Sequence, residues 1–103
     1  MLKIQTPPTF KIPVGITVAG EDKPTEIEVE FRYLKKSEHL AYLNGIGDKT
    51  DSVSLGEIIV GWAKVDAPYS AENLALFLDN HPPAARELFD AFTRALSEAK
   101  AKN

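Results

Sequence analysis

The sequence predicts an α+β fold, an N-terminal antiparallel β-hairpin followed by a four-helix C-terminal part. Three observations support it. Up to residue 34 the apolar residues alternate with polar ones, which is the period of a half-buried strand. After residue 36 they recur every three or four positions, which is the period of a helix. The length of 103 residues and the apolar content of 44% fit a single compact domain over residues 1–103.

The hairpin is predicted over residues 9–34. Its strands have apolar side chains at every second position from Phe10 to Val18 and from Ile27 to Tyr33, with a polar turn between them. Because Pro13 cannot donate to a ladder, the first strand is predicted to be an edge strand or to be broken there. A lone hairpin is marginal, so it needs helices against its apolar face or a further strand along its edge.

The helices are predicted over residues 37–45, 53–63, 70–81 and 83–100. Ser37, Ser54 and Ser70 each stand near the start of one helix and are typical N-cap residues. Ser54 also has a glutamate three residues later, the spacing of a capping box. Pro83 is suited to open the last helix, because proline is tolerated in a first turn.

The apolar faces of these elements predict one shared core. Ordering a chain of this length costs on the order of 150 kcal/mol of conformational entropy, so nearly every apolar stripe must contribute to it. The residues predicted to form this core are Phe31, Leu55, Ile58, Trp62, Leu74, Leu78, Leu88 and Phe92.

Composition excludes several classes of protein. The formal charge of −3 and the scattered lysines and arginines argue against a nucleic-acid binder, which needs a basic face. The absence of cysteine excludes disulfides and thiolate chemistry and suits a reducing cytoplasm. Residues 1–8 lack the apolar region of a signal peptide, and no stretch approaches the roughly 20 apolar residues of a membrane span. We therefore expect neither export nor membrane insertion.

No metal site is predicted from the titratable residues. His39 and His81 are far apart in sequence and have no ligand-like spacing. His81 next to Pro82 is typical of a packed or C-capping histidine, and His39 is interpreted as a surface residue. The row Glu26, Glu28 and Glu30 fits a solvated strand face that discourages aggregation.

No catalytic or cofactor-binding residue is predicted either. The three helix-capping serines have no histidine and aspartate partners nearby in sequence, and the glycines 45 and 47 follow a helix rather than a strand, which argues against a phosphate loop. The chain is therefore not predicted to be an enzyme, and a binding role remains. Tyr69, Phe89 and Ile46 are the candidate partner-contact residues, because tyrosine dominates interface hot spots and Ile46 stands in a polar loop.

Several short motifs follow one another along nearly the whole chain: Pro8-Thr9-Phe10-Lys11, Ile27-Glu28-Val29-Glu30-Phe31-Arg32-Tyr33, Lys36-Ser37-Glu38, Ile58-Ile59-Val60-Gly61-Trp62, Tyr69-Ser70-Ala71-Glu72-Asn73-Leu74 and Pro82-x-Ala84-Ala85-Arg86. Their order and spacing resemble the phage tail assembly chaperones, a family encoded beside the tape measure gene of long-tailed phages and prophages. The chain departs from the family pattern in the hairpin turn and after Trp62, where a Gly-Gly turn and an acidic pair are common.

The resemblance implies a non-enzymatic adaptor in the cytoplasm of the bacterial host. It would keep the tape measure protein soluble and help recruit tail tube protein subunits, with no cofactor, and self-association is left open. We expect the client to dock as a helix in a groove near Tyr69 and the last helix. Strand addition along the second strand of the hairpin is the other mode considered, since Pro13 obstructs the first.

A structural virion component, such as a small head-tail connector or tail completion protein, is the alternative function. Those proteins are also small α+β domains without active sites. A chaperone would be absent from mature particles, whereas a connector would remain in them.

Overall fold

The computed structural model describes residues 1–97 and has an α+β architecture. Within those residues a three-stranded antiparallel sheet is combined with four α-helices, and a 3-10 turn at Ile46–Asp48 joins the first two helices. In chain order the elements are β1 (Thr9–Ile16), β2 (Thr25–Arg32), α1 (Lys36–Gly45), α2 (Asp51–Gly56), β3 (Ile59–Ala63), α3 (Ala71–Asn80) and α4 (Ala84–Ser97).

The strands β1 and β2 form the predicted antiparallel hairpin. Their register pairs Phe10 with Phe31 and Val14 with Ile27, so the alternating apolar residues of both strands face the same side. The turn between the strands passes through Gly20, whose φ of +86° is a left-handed conformation that glycine adopts without a Cβ penalty.

The predicted helix over residues 53–63 is wrong in its second half. The helix α2 ends at Gly56, and the following apolar run forms the strand β3, antiparallel to β2. A run this short fits either a helix face or a buried strand, and its three consecutive β-branched residues and Gly61 favour extended chain. The unpaired edge of the hairpin favours the strand as well, since each added strand supplies ladder hydrogen bonds and covers more of the core.

The strand order is β1-β2-β3, so β2 is the central strand. Glu28 of β2 pairs with Pro13 on one side and with Ala63 on the other. Strand addition along β2 is therefore excluded, because both of its edges are already paired. Pro13 lies on an edge strand, as the sequence predicts.

Of the three predicted N-caps, one is confirmed. The Ser70 hydroxyl accepts a hydrogen bond from the Asn73 amide at 3.0 Å at the start of α3. The N-cap of α2 is Thr50, whose side chain accepts from the Val53 amide. Ser54 is instead buried inside α2, and its hydroxyl donates to the Thr50 carbonyl at 3.0 Å.

The prediction of Ser37 as a cap is also wrong. The N-cap position of α1 is Lys35, and its backbone amide donates to the Glu38 carboxylate at 2.8 Å. A glutamate three residues after the N-cap can accept a hydrogen bond from the N-cap amide. This amide is therefore satisfied without a capping serine.

The last two helices agree with the predicted periodicity. His81 is the C-cap of α3, and its amide donates to the Phe77 carbonyl, as expected from its position before Pro82. The helix α4 begins at Ala84, directly after Pro83. The predicted residues 98–100 of this helix lie outside the described part of the chain.

The core lies between the inner face of the sheet and the helices α2, α3 and α4. Phe92 of α4 is central, with its ring 5.3 Å from that of Phe31 and 6.3 Å from that of Phe10. Six of the eight predicted core residues are fully buried, whereas Trp62 and Leu78 are half-buried at its margin. The buried apolar residues are Val14, Ile16, Ile27, Val29, Phe31, Leu55, Ile58, Ile59, Leu74, Ala84, Leu88 and Phe92.

Candidate functional site

The three residues predicted to contact a partner lie on three separate elements. Tyr69 is in the loop before α3, Phe89 is on α4 and Ile46 is in the 3-10 turn. All three are half-buried, and Tyr69 and Phe89 pack against the hydrophobic core. They therefore offer only part of their surface to a partner.

Tyr69 is held by specific contacts within the chain. Its hydroxyl donates to the Ile59 carbonyl at 3.0 Å, and its ring meets Trp62 edge-on at 5.2 Å. The Trp62 indole in turn donates to the Ala67 carbonyl at 2.8 Å and lies 5.4 Å from Phe77. Burial raises the pKa of the Tyr69 phenol, so the hydroxyl keeps the proton that it donates.

Both edges of the sheet are obstructed. Pro13 interrupts the row of donors on β1, and the loop that contains Tyr69 folds back against β3. The strand β3 is also only five residues long. Such features discourage pairing of a sheet edge with another chain.

A shallow groove lies beside α1, with a volume of about 370 Å³. Its walls come from α1 and from the chain just before α1, just before α2 and just after α2, and they combine apolar and charged side chains. The charged side chains include an ion pair, with the Lys49 ammonium 2.6 Å from the Glu57 carboxylate. The lining residues are Leu34, Glu38, Ala41, Tyr42, Lys49, Glu57 and Ile58.

Tyr42 fixes α1 beside this groove. Its hydroxyl donates to the Ser54 carbonyl at 2.7 Å, and its ring lies 6.2 Å from Phe92. Burial and the neighbouring Glu57 carboxylate raise the pKa of the Tyr42 phenol well above its usual value. The phenol is therefore a permanent hydrogen-bond donor at physiological pH.

The opposite side of α1 carries an exposed apolar pair, Leu40 and Leu43, which we term the leucine face. Their side chains are 55% and 45% exposed, and none of the residues of α1 is buried. Residues 38, 41 and 42 point into the groove, so at 100° per residue positions 40 and 43 lie on the other side of the helix. The leucine face is available for a partner to cover.

This face is not predicted from the sequence, whose candidate contact residues are Tyr69, Phe89 and Ile46. One signal was present. The apolar residues of α1 are spread around its circumference rather than gathered on one side, which is unusual for a helix that only packs on a core.

Each histidine packs against a phenylalanine ring. The interpretation of His39 as a surface residue is wrong, because its ring packs edge-on against Phe92 at 5.7 Å and is half-buried. His81 packs against Phe77 at 5.0 Å. Within residues 1–97 no three acidic or histidine side chains gather in a way that would hold a metal ion.

The acidic row of β2 lies on the sheet face that points away from the core. Glu28 and Glu30 are half-buried there, and the Thr9 hydroxyl donates to the Glu30 carboxylate at 2.6 Å. Gly61 on β3 is the pairing partner of Glu30. In the same described part of the chain, no helix has the length and apolar character required to cross a membrane.

Comparison with known proteins identifies one family. A family model described as phage tail assembly chaperone matches residues 1–103, which is the whole chain. No curated protein and no solved structure matches it. The match agrees with the order of motifs from the opening Pro-Thr-Phe to the last helix. The chain belongs to the phage tail assembly chaperone family.

Proposed function

We propose that this protein binds the tape measure protein during tail assembly, keeps it soluble and helps recruit tail tube subunits around it, in the cytoplasm of the bacterial host and without catalysing a reaction. The observation that supports this most is the family match over residues 1–103. Family membership identifies the protein as a tail assembly chaperone. Its binding to the tape measure protein and its recruitment of tail tube subunits are what we propose.

The leucine face of α1 is the surface that suits such a client. A tape measure protein is expected to be long and helical with apolar stripes, and such a stripe packs against apolar side chains spaced three residues apart on another helix. Leu40 and Leu43 have this spacing and are about half exposed. The helix is held from one side by His39 and Tyr42 against Phe92, so a client can cover the leucines without unfolding it.

The test is a co-purification of the tape measure protein with a double variant, Leu40→Asp with Leu43→Asp. Two carboxylates in an apolar interface should weaken the complex by at least about tenfold, which corresponds to about 1.4 kcal/mol. The thermal midpoint should stay close to that of the unaltered protein, because neither leucine is part of the core.

Leu76→Asp is the matched control. Leu76 is a similarly exposed leucine, at 59%, but it lies on α3. This variant should bind the client normally. Equal binding by all three proteins would exclude the leucine face, and no binding by any of them would contradict the proposed client.

The tail tube part of the proposal has its own test. Mass spectrometry of lysates and of purified particles should find the protein in the lysate together with tape measure and tube proteins, and not in mature virions. Stoichiometric retention in the particle would instead favour a structural virion component.

A further inference from the structure

The segment Met1–Thr6 stands away from the body of the protein. Leu2 and Ile4 are 97% and 102% exposed, so neither touches the core of its own chain. They alternate with Lys3 and Gln5 in the sequence, so the segment has one apolar and one polar side when it is laid out extended on another surface. We term this segment the N-terminal arm. Its apolar side has the pattern of a peptide that lies along another surface.

The chain just after the arm, at Pro8, is fixed next to the groove beside α1. The Tyr33 amide donates to the Pro8 carbonyl at 2.9 Å, and the next residue, Leu34, lines the groove. Pro7 and Pro8 restrict the backbone before β1 to extended conformations. Because Leu2 and Ile4 are fully exposed, the arm does not cover the groove of its own chain.

The groove matches the arm in size and charge. Its volume of about 370 Å³ is suited to a few side chains of a peptide segment. Leu34, Ala41 and Ile58 supply apolar walls. Among the charged lining residues Lys49 is paired with Glu57, and the third is Glu38, whose carboxylate accepts only the neutral Lys35 amide. The arm brings the cation of Lys3 to this carboxylate.

We infer that the N-terminal arm of one copy docks in the α1 groove of a second copy, with Leu2 and Ile4 against the apolar walls and Lys3 beside Glu38. A twofold arrangement uses the same patch on both copies, so each copy gives an arm and receives one. An arm of six residues reaches roughly 20 Å, which is enough to cross between two adjacent domains. Docking leaves the leucine face open for a client.

Disulfide trapping tests this directly, because the sequence contains no cysteine. One chain carries Ile4→Cys and a second, mass-tagged chain carries Ala41→Cys in the groove. After mixing under mild oxidation we expect the mixed disulfide in several-fold excess over the product of Ile4→Cys with Leu76→Cys, a control cysteine on the exposed face of α3. Equal yields of the two mixed products would overturn the inference.

A second measurement separates exchange between copies from docking within one copy. Sedimentation of the full chain should show a dimer that shifts to monomer for Leu2→Ser with Ile4→Ser and is unchanged for Leu76→Ser. A monomeric unaltered protein, or a bond that forms only inside a chain carrying both Ile4→Cys and Ala41→Cys, contradicts arm exchange. Because neither readout involves the tape measure protein, failure here is distinguishable from failure of the proposed function.

Discussion

Tyr69 shows at the residue scale how one side chain serves the fold. Its hydroxyl satisfies the Ile59 carbonyl of an edge strand, and its ring packs on Trp62. An unsatisfied carbonyl at a sheet edge is a template for pairing with another chain. Tyr69 remains a candidate client contact, but its removal would act on stability as well as on binding.

Two substitutions separate these effects. Tyr69→Phe removes only the hydroxyl and should lower the free energy of unfolding by about 0.5–1.5 kcal/mol. Tyr69→Ala also removes the ring from Trp62 and should cost about 3 kcal/mol or more. Urea denaturation measures both, with Leu76→Ala as a surface control within about 0.5 kcal/mol of the unaltered protein. If Tyr69→Phe keeps full stability but loses the client, the hydroxyl serves binding and not the sheet edge.

At the scale of elements, the conformation of β3 depends on its pairing with another strand. It pairs with β2 and carries Trp62 on the inner face and Gly61 on the outer face. A Cβ at Gly61 would meet only the Glu30 side chain, at 3.6 Å or more, which is ordinary contact. A glycine is therefore not required here for lack of space. The stability of variants at this position instead depends on whether the backbone is a strand or a helix.

Substitution at Gly61 tests whether the segment is a strand. In a strand a β-branched residue is favoured over alanine, whereas in a helix alanine is favoured. Gly61→Val should therefore be at least as stable as Gly61→Ala, with a difference of up to about 1 kcal/mol. Thermal midpoints of the two variants give the answer. A clearly more stable Gly61→Ala would indicate helix at this position.

At the scale of the whole molecule, two half-buried phenols link stability to pH. Tyr42 and Tyr69 join α1 to α2 and the α3 loop to β3, and burial raises the pKa of each. The folded state then keeps two protons that the unfolded chain loses near pH 10. Their contribution to stability is complete below about pH 10 and falls as the pH rises further toward the folded-state values.

Alkaline unfolding measures this linkage. The urea midpoint should be flat from about pH 7 to about pH 9 and fall above about pH 10. Tyr42→Phe should lower the midpoint at neutral pH, because the hydrogen bond to Ser54 is lost, and should make the alkaline fall less steep. An unchanged alkaline slope in this variant would show that Tyr42 does not hold its proton more tightly in the folded state.

The sequence by itself determined the elements whose pattern is local. Alternation from Phe10 to Val18 and from Ile27 to Tyr33 defines two strands with one apolar face, and Ser70 followed by an apolar stripe defines α3. The order of motifs also indicated the family. Periodicity and capping act between residues close in sequence, so they can be read without knowing what packs where.

The tertiary structure alone decided where β3 pairs, which leucines stay exposed and how the groove forms. The run from Ile58 to Trp62 suits a helix or a strand, and the open edge of β2 favours the strand. Leu40 and Leu43 are apolar but stay exposed, because α1 meets the core on only one side, through His39 and Tyr42. The groove combines residues from distant parts of the chain. These outcomes depend on contacts between different segments of the chain. They therefore do not follow from the conformational propensity of each segment alone.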